Sequence, residues 1–259
     1  MITLASDFGS PYPAAMKGVV LRRSDARLVD VSHDLPRGGI RESAFWLREV
    51  WPTFPPATHL AVVDPGVGTD RDVLVGTAAG HAFVGPDNGL LCPAARRVAG
   101  DDGAIDWFHA DPGDPASTTF HGRDVFAPLA AAVHDAVEAG DPDTLDALDR
   151  LTPADPSVDL RLPEARVDGD RATGEVLAVD DFGNVVTNVP GTVLDGRGTV
   201  RVDGDRVPVG ETFAAVRPGE ALVTVGSHGY VECDVNDGRG DERFGLDVGD
   251  AVCLGLDIE

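Results

Sequence analysis

A chain of 259 residues with 42 % hydrophobic content has enough apolar material for one large core or two modest ones, and is not disordered. Its 44 acidic side chains against 21 basic ones give a net charge of −23, from 34 Asp and 10 Glu set against 20 Arg and a single lysine, Lys17. Such a surface repels nucleic acid and anionic membranes. Asp-rich, Lys-poor composition is that of halophilic, salt-adapted proteomes, where molar salt shortens the Debye length to about 3 Å and screens the self-repulsion. The acids are scattered rather than clustered, which disfavours a dedicated docking face for a basic partner. No apolar run approaches the roughly 20 residues of a membrane span, and no basic-then-apolar leader opens the chain, so the expected location is cytoplasmic. Cys92, Cys233 and Cys253 form no CxxC pair. That argues for small buried apolar residues in a reducing compartment, not a disulfide framework or a zinc site.

From the start, ITLAS (2–6) reads as a short buried strand and 14–21 as a helix. RLVDVS (27–32) is strand-like, and 42–50 carries apolar residues at helical spacing. HLAVV (59–63), VLVGTA (73–78) and AFVGP (82–86) read as further strands, and the apolar, Ala-rich run 125–137 as a buried helix. This alternation predicts an α/β domain with a mainly parallel central sheet. Residues 139–173 turn rich in Asp and Pro, as a boundary would. Beyond Gly174 the segments GEVLAV, NVVTNV, GTVRVDGDRVPV, ALVTV, GYVECDV and DAVCLGL are short, strand-like and punctuated by Gly and Asp. They predict a smaller all-β domain, a barrel or sandwich. The expected division is 1–165 and 166–259.

Ligands of open α/β sheets bind beyond the carboxyl ends of the strands. Three strand ends here run into polar, glycine-flanked loops: SDFG with Asp7, VVDPGVGTDR with Asp64 and Arg71, and VGPDNGLL with Asp87 and Asn88. Each alone reads as a turn; three in one domain suggest a shared cleft. In STTFHGRDVFAPLAAAV, His121 precedes Gly122, Arg123 and an apolar helix, and a helix N-terminus provides a positive field that favours neutral imidazole. No HxxxH or HExxH spacing supports a metal, and neither GxGxxG nor a P-loop is present. AVDDFGNVVTN (178–188) is either a plain hairpin turn or a presenter of Asp180 and Asn184, beside Phe182, to a polar ligand, and GSHGYVECDVN (226–236) has the same ambiguity.

The ordered set SDFG, MKG (16–18), VVDPGVGT, FVGPDNGLL, TFHGRDVFAP, DDFGNVVTN and GSHGY resembles the S-adenosyl-L-methionine hydroxide adenosyltransferases, relatives of the fluorinases and chlorinases, over residues 2–256. The resemblance implies an N-terminal α/β domain and a C-terminal β domain in a homotrimer with active sites at subunit interfaces. It implies hydrolysis of S-adenosyl-L-methionine, as substrate rather than cofactor, to adenosine and L-methionine. Asp64, Arg71 and His121 correspond to the triad that holds the reacting water. Halogenating relatives carry tyrosine at the position of Asp64, and fluorinases carry serine at that of Gly122, so both residues point to water.

The same resemblance assigns Asp7 to the ribose hydroxyls, and Asp180 and Asn184 to the methionine amino group and the ribose or adenine edge. Phe182 and Phe213 are assigned to stacking on adenine and Ser227 to the methionine carboxylate. The loop after Asp7, FGSPYPAAM, is about two residues shorter than the family's and lacks its acidic residue, a place that Ser10 is expected to fill. Position 228 is His instead of the halogenases' arginine. The competing readings are a chlorinase-like halogenase, disfavoured because a fixed carboxylate repels halide, and a protein that binds S-adenosylmethionine or adenosine without turnover.

Overall fold

The computed structural model describes residues 1–69, 71–140, 145 and 148–257. Two compact units divide it, Met1–Arg161 and Leu162–Glu259. Among the described residues no helix is long and apolar enough to cross a membrane.

In the first unit the elements run β1 (Ile2–Ser6), α1 (Tyr12–Val20), β2 (Leu28–Ser32), α2 (Ile40–Val50), β3 (Thr58–Val62), β4 (Val73–Ala78), β5 (His81–Pro86), α3 (Cys92–Ala99), β6 (Asp106–Ala110), α4 (Ala127–Glu138) and β7 (Leu151–Pro153). They build a seven-stranded sheet in the order β2-β1-β3-β5-β4-β6-β7. β1 and β3 are buried along their whole length, Thr3, Ser6, Thr58 and His59 included, because both sheet faces are covered. One layer packs Met16, Val19 and Val20 of α1 and Leu129, Ala130 and Val133 of α4 against the sheet. On the other face lie Ala44 and Leu47 of α2, Trp51, and Ala94 and Ala95 of α3.

The expectation of a mainly parallel sheet needs correction. The ladders β2-β1, β1-β3 and β3-β5 are parallel, whereas β5-β4, β4-β6 and β6-β7 are antiparallel. The sheet is mixed. Its reversal is set by a two-residue link: Ala79 (φ 47) and Gly80 (φ 81) both adopt left-handed backbone, as a tight hairpin turn requires. Two residues cannot make the crossover that parallel strands need.

The second unit contains β8 (Arg166–Asp168), β9 (Arg171–Val179), β10 (Val185–Pro190), β11 (Thr199–Val202), β12 (Asp205–Pro208), β13 (Ala221–Val225), β14 (Tyr230–Val235), the short α5 (Gly240–Phe244) and β15 (Ala251–Gly255). Its ladders are antiparallel, in the order β12-β11-β15-β9-β10-β14-β13 with β8 on β9. A parallel bridge between Val209 and Val223 links the two ends, so the sheet is nearly closed and barrel-like. Its interior is filled mainly by β-branched valines, among them Val176, Val185, Val200, Val231 and Val252.

Candidate active site

Asp64 lies just past the carboxyl end of β3, and its side chain is only 3 % exposed. Its Oδ1 accepts the Gly66 N–H at 2.9 Å, a local turn that starts the loop. The loop is closed by Thr69, which donates both its N–H (3.1 Å) and its hydroxyl (2.7 Å) to the Gly66 carbonyl. Gly68 takes φ +83 beside the Thr118 carbonyl. The chain then returns so that Arg71 Nε sits 3.1 Å from Asp64 Oδ1. That N–H is not aimed at the carboxylate, so the contact is a charge pair and not a hydrogen bond. The guanidinium lies directly over Gly66, where a Cβ would fall 2.5 Å from Nη2. Glycine at 66 is therefore what admits the arginine.

His121 precedes a single π turn, Gly122–Phe126, that leads into α4. Gly122 packs closely, with Phe8 of the loop after β1, Met16 of α1 and Phe120 3.0–3.2 Å from where its Cβ would be. A pocket of about 220 Å³ is lined by Asp64, Gly66, Arg71, Asp72, His121 and Val125, among others. Asp64 and Arg71 of one loop and the distant His121 thus face one volume in the N-terminal unit. Asp72 and Thr69 join them on its wall, and neither is picked out by sequence, because nothing distinguishes an exposed loop Asp or Thr from a turn former.

Asp7 lies just past the end of β1 and accepts the Gly38 N–H on Oδ2 at 2.8 Å, while Ser10 is exposed in the following turn. The third polar strand end serves the scaffold. Asp87 is buried, its Oδ2 accepting His109 Nε2 (2.9 Å) and the Ser157 N–H (2.8 Å). Asn88 donates to the Val63 carbonyl at 2.9 Å, which fixes the residue before Asp64. Asp72, Asp87 and His109 offer ligand atoms within 4.8 Å of one another, but His109 already spends Nε2 on Asp87, so the group reads as a bridge between β5 and β6.

In the C-terminal unit Asp180 organises the β9–β10 turn. Its Oδ1 accepts the N–H groups of Phe182 and Asn184, both at 2.9 Å, and its Oδ2 accepts Asn184 Nδ2 at 3.0 Å. Phe182 stands 78 % exposed at the tip. Phe213, in a 3₁₀ turn at Phe213–Ala215, and Ser227, in the turn before β14, are both exposed. On β14 two acids escape the sequence reading. Burial, with Asp180 nearby, pushes Glu232 up to about 7; burial, with Glu232 and Asp180, pushes Asp234 up to about 8.

Comparisons with known proteins agree over nearly the whole chain. The family profile described as SAM hydroxide adenosyltransferase N-terminal domain matches residues 2–141, and its C-terminal counterpart matches 174–253. A Salinispora tropica protein named (R)-S-adenosyl-L-methionine hydrolase is 40 % identical over 97 % of this chain and 96 % of its own. One of the same name from Thermus thermophilus is 41 % identical over 96 % and 97 %. Among solved structures, an uncharacterized conserved protein from Thermotoga maritima superposes with a TM-score of 0.84 at 31 % identity, covering 98 % of this chain and 100 % of that one. A conserved hypothetical protein from Thermus thermophilus gives 0.74 at 37 %, covering 98 % of each.

Proposed function

The chain belongs to the SAM hydroxide adenosyltransferase family, and from that membership we infer that it is an enzyme hydrolysing S-adenosyl-L-methionine to adenosine and L-methionine. Water attacks C5′ of the substrate. As the C5′–O bond forms, the C5′–S pair withdraws onto sulfur, the sulfonium becomes a neutral thioether, and one proton leaves the attacking water. The leaving group needs no acid. What the reaction needs is a nucleophile held in line with the C–S bond and a place for one proton, and orientation of that kind contributes several kcal/mol, of the ~7–11 available from well-placed reactants.

The observation that carries the catalytic assignment is the pocket shared by Asp64, Arg71 and His121. We assign Asp64 to orienting and polarising the water, Arg71 to holding that carboxylate, and His121 to accepting the proton. Substrate contacts are assigned to Asp7 and Ser10 in the N-terminal unit, and to Asp180, Phe182, Asn184, Phe213 and Ser227 in the C-terminal unit. A homotrimer is proposed, to be read from the mass in light scattering. Cytoplasmic placement and salt adaptation are proposed on composition.

Incubation with S-adenosylmethionine in concentrated potassium chloride, followed by chromatography, tests the reaction. Adenosine with methionine is the expected outcome; 5′-chloro-5′-deoxyadenosine would show a halogenase, and bound, intact substrate a binding protein. His121→Ala is expected to lose most turnover across pH 6–9, and near wild-type rates there would remove His121 from the mechanism.

A further inference from the structure

Strand β14 alternates strictly. Val231 and Cys233 enter the barrel core, so Glu232 and Asp234 project together from the opposite face. That face is nonetheless buried, with Glu232 at 9 % exposure and Asp234 at 0 %. Neither carboxyl oxygen of Asp234 has a hydrogen-bond partner. A fully buried carboxyl with both oxygens idle calls for an explanation, because each unmet polar atom carries a desolvation cost.

The register shows what shares the face. Val185 of β10 stands opposite both Cys233 and Val179. One residue further, Asn184 falls between Asp234 and Asp180, whose carboxylate it already binds. Glu232 faces Thr224 of β13 and lies against Gly226, where a Cβ would overlap its carboxyl group. Glu232 therefore sits between the two segments, 180–184 and 226–228, to which the substrate contacts Asp180, Asn184 and Ser227 are assigned. The charged and titratable groups around the pair are Asp180, His228 with Nδ1 3.8 Å from Glu232 Oε1, and, at α5 packed on β14, Arg239, Asp241 and Glu242. Arg239 is bound to Asp241 and to the Asp181 carbonyl. The face thus gathers three carboxyl groups, while its nearby arginine is already paired.

We propose that Glu232 is a second anionic contact, beside Asp180, for the α-ammonium group at the amino-acid end of the substrate, with Asp234 acting behind it as a positioning residue. The proposal rests on the hydrolase reading. It explains a cluster that is costly in the free protein: an arriving cation supplies the missing opposite charge. Because both acids are pushed up into the neutral range, an arriving ammonium draws ionisation of the pair, and a proton leaves to the buffer.

Calorimetry on the full chain tests this with L-methionine and with 3-(methylthio)propionate, which lacks the ammonium, run at pH 7 in two buffers of different ionisation heat. Adenosine production from S-adenosylmethionine is followed in parallel. Methionine binding by the wild type should release a fraction of a proton up to about one. Glu232→Gln should weaken methionine by about tenfold or more and leave 3-(methylthio)propionate within twofold. Asp234→Asn, an isosteric change, should hold methionine affinity within a few-fold and cut the proton release to the share that Glu232 carries, which a purely structural role would not alter. Methionine affinity indifferent to Glu232→Gln would overturn the Glu232 assignment, and proton release unchanged by Asp234→Asn would overturn that of Asp234, each leaving the hydrolase reading intact. A wild-type chain that makes no adenosine and binds no methionine would overturn both.

Discussion

Asp64 and Arg71 stand 3.1 Å apart because Gly66 leaves room for the guanidinium over its α-carbon. Gly66→Ala tests that geometry without touching either charge. Its backbone is not left-handed, so alanine is tolerated by the main chain, but the new methyl displaces Arg71. Turnover should fall about tenfold, roughly 1.4 kcal/mol of transition-state stabilisation, with little change in melting temperature. Asp64→Asn keeps the shape and removes the charge; kcat should drop by about 10²–10³ with KM changed little, as for loss of one preorganised electrostatic group. An unchanged kcat in stopped assays would remove Asp64 from water orientation. Asp180 invites the opposite test. Its two oxygens take three N–H donors, so an amide there must face at least one of them with another donor. Asp180→Asn should lower the stability of the C-terminal unit by about 1–3 kcal/mol in urea melts, whatever it does to substrate affinity.

Among the elements, those that sequence makes plain are the ones whose signal is local. Strands β1, β3 and β4 are short, mostly apolar runs, α2 has its apolar stripe, and the loop from Asp64 to Arg71 advertises itself through Pro and Gly. What stays hidden depends on partners distant in the chain. β6, DWFHA, does not alternate cleanly, because His109 turns inward to meet Asp87, 22 residues away. The run YVECDV reads as a strand, but nothing in it shows that Asp234 is wholly buried; only the packing of that face decides its burial. The sheet's reversal is legible in principle: VLVGTA and HAFVGP are separated by Ala-Gly alone, and two residues admit only a hairpin. Ala79 fills its left-handed position poorly, since asparagine is favoured there. Ala79→Asn should stabilise the N-terminal unit by about 0.5–1 kcal/mol, seen as a higher urea midpoint at unchanged slope. A lower midpoint would mean that the turn is held by something other than its own backbone preference.

At the scale of the whole molecule two electrostatic features make separate demands on the solvent. A net charge of −23 on 259 residues destabilises the compact chain by self-repulsion. Melting temperature should therefore climb between 0.1 and 1 M potassium chloride, where the Debye length falls from about 10 to about 3 Å, and flatten above it. The second demand concerns pH and differs between the two units. In the N-terminal unit, burial and the neighbouring His81 push His59 down to about 3 from 6.5. The unfolded chain takes that proton near 6.5, so the stability is fully present above 6.5 and is lost as pH falls toward 3. Burial lowers His81 and His134 in the same sense. In the C-terminal unit the sign reverses. Glu232 and Asp234 are raised to about 7 and about 8 from 4.5 and 3.8. Their contribution is complete below about 4 and is lost as pH rises through 7 to 8, because the unfolded chain ionises them freely while the fold resists. Trp46, Trp51 and Trp107 all lie in the N-terminal unit, so tryptophan fluorescence follows it alone, and hydrogen exchange read by mass spectrometry follows both. Between pH 5 and pH 8 the fluorescence midpoint in urea should rise, while exchange protection on β10 and β14 should fall once intrinsic rates are corrected. Protection moving in the same direction in both units would mean that the fold does not resist ionisation of the Glu232–Asp234 pair; otherwise Asp234→Asn should reduce the C-terminal unit's pH dependence to the part that Glu232 carries.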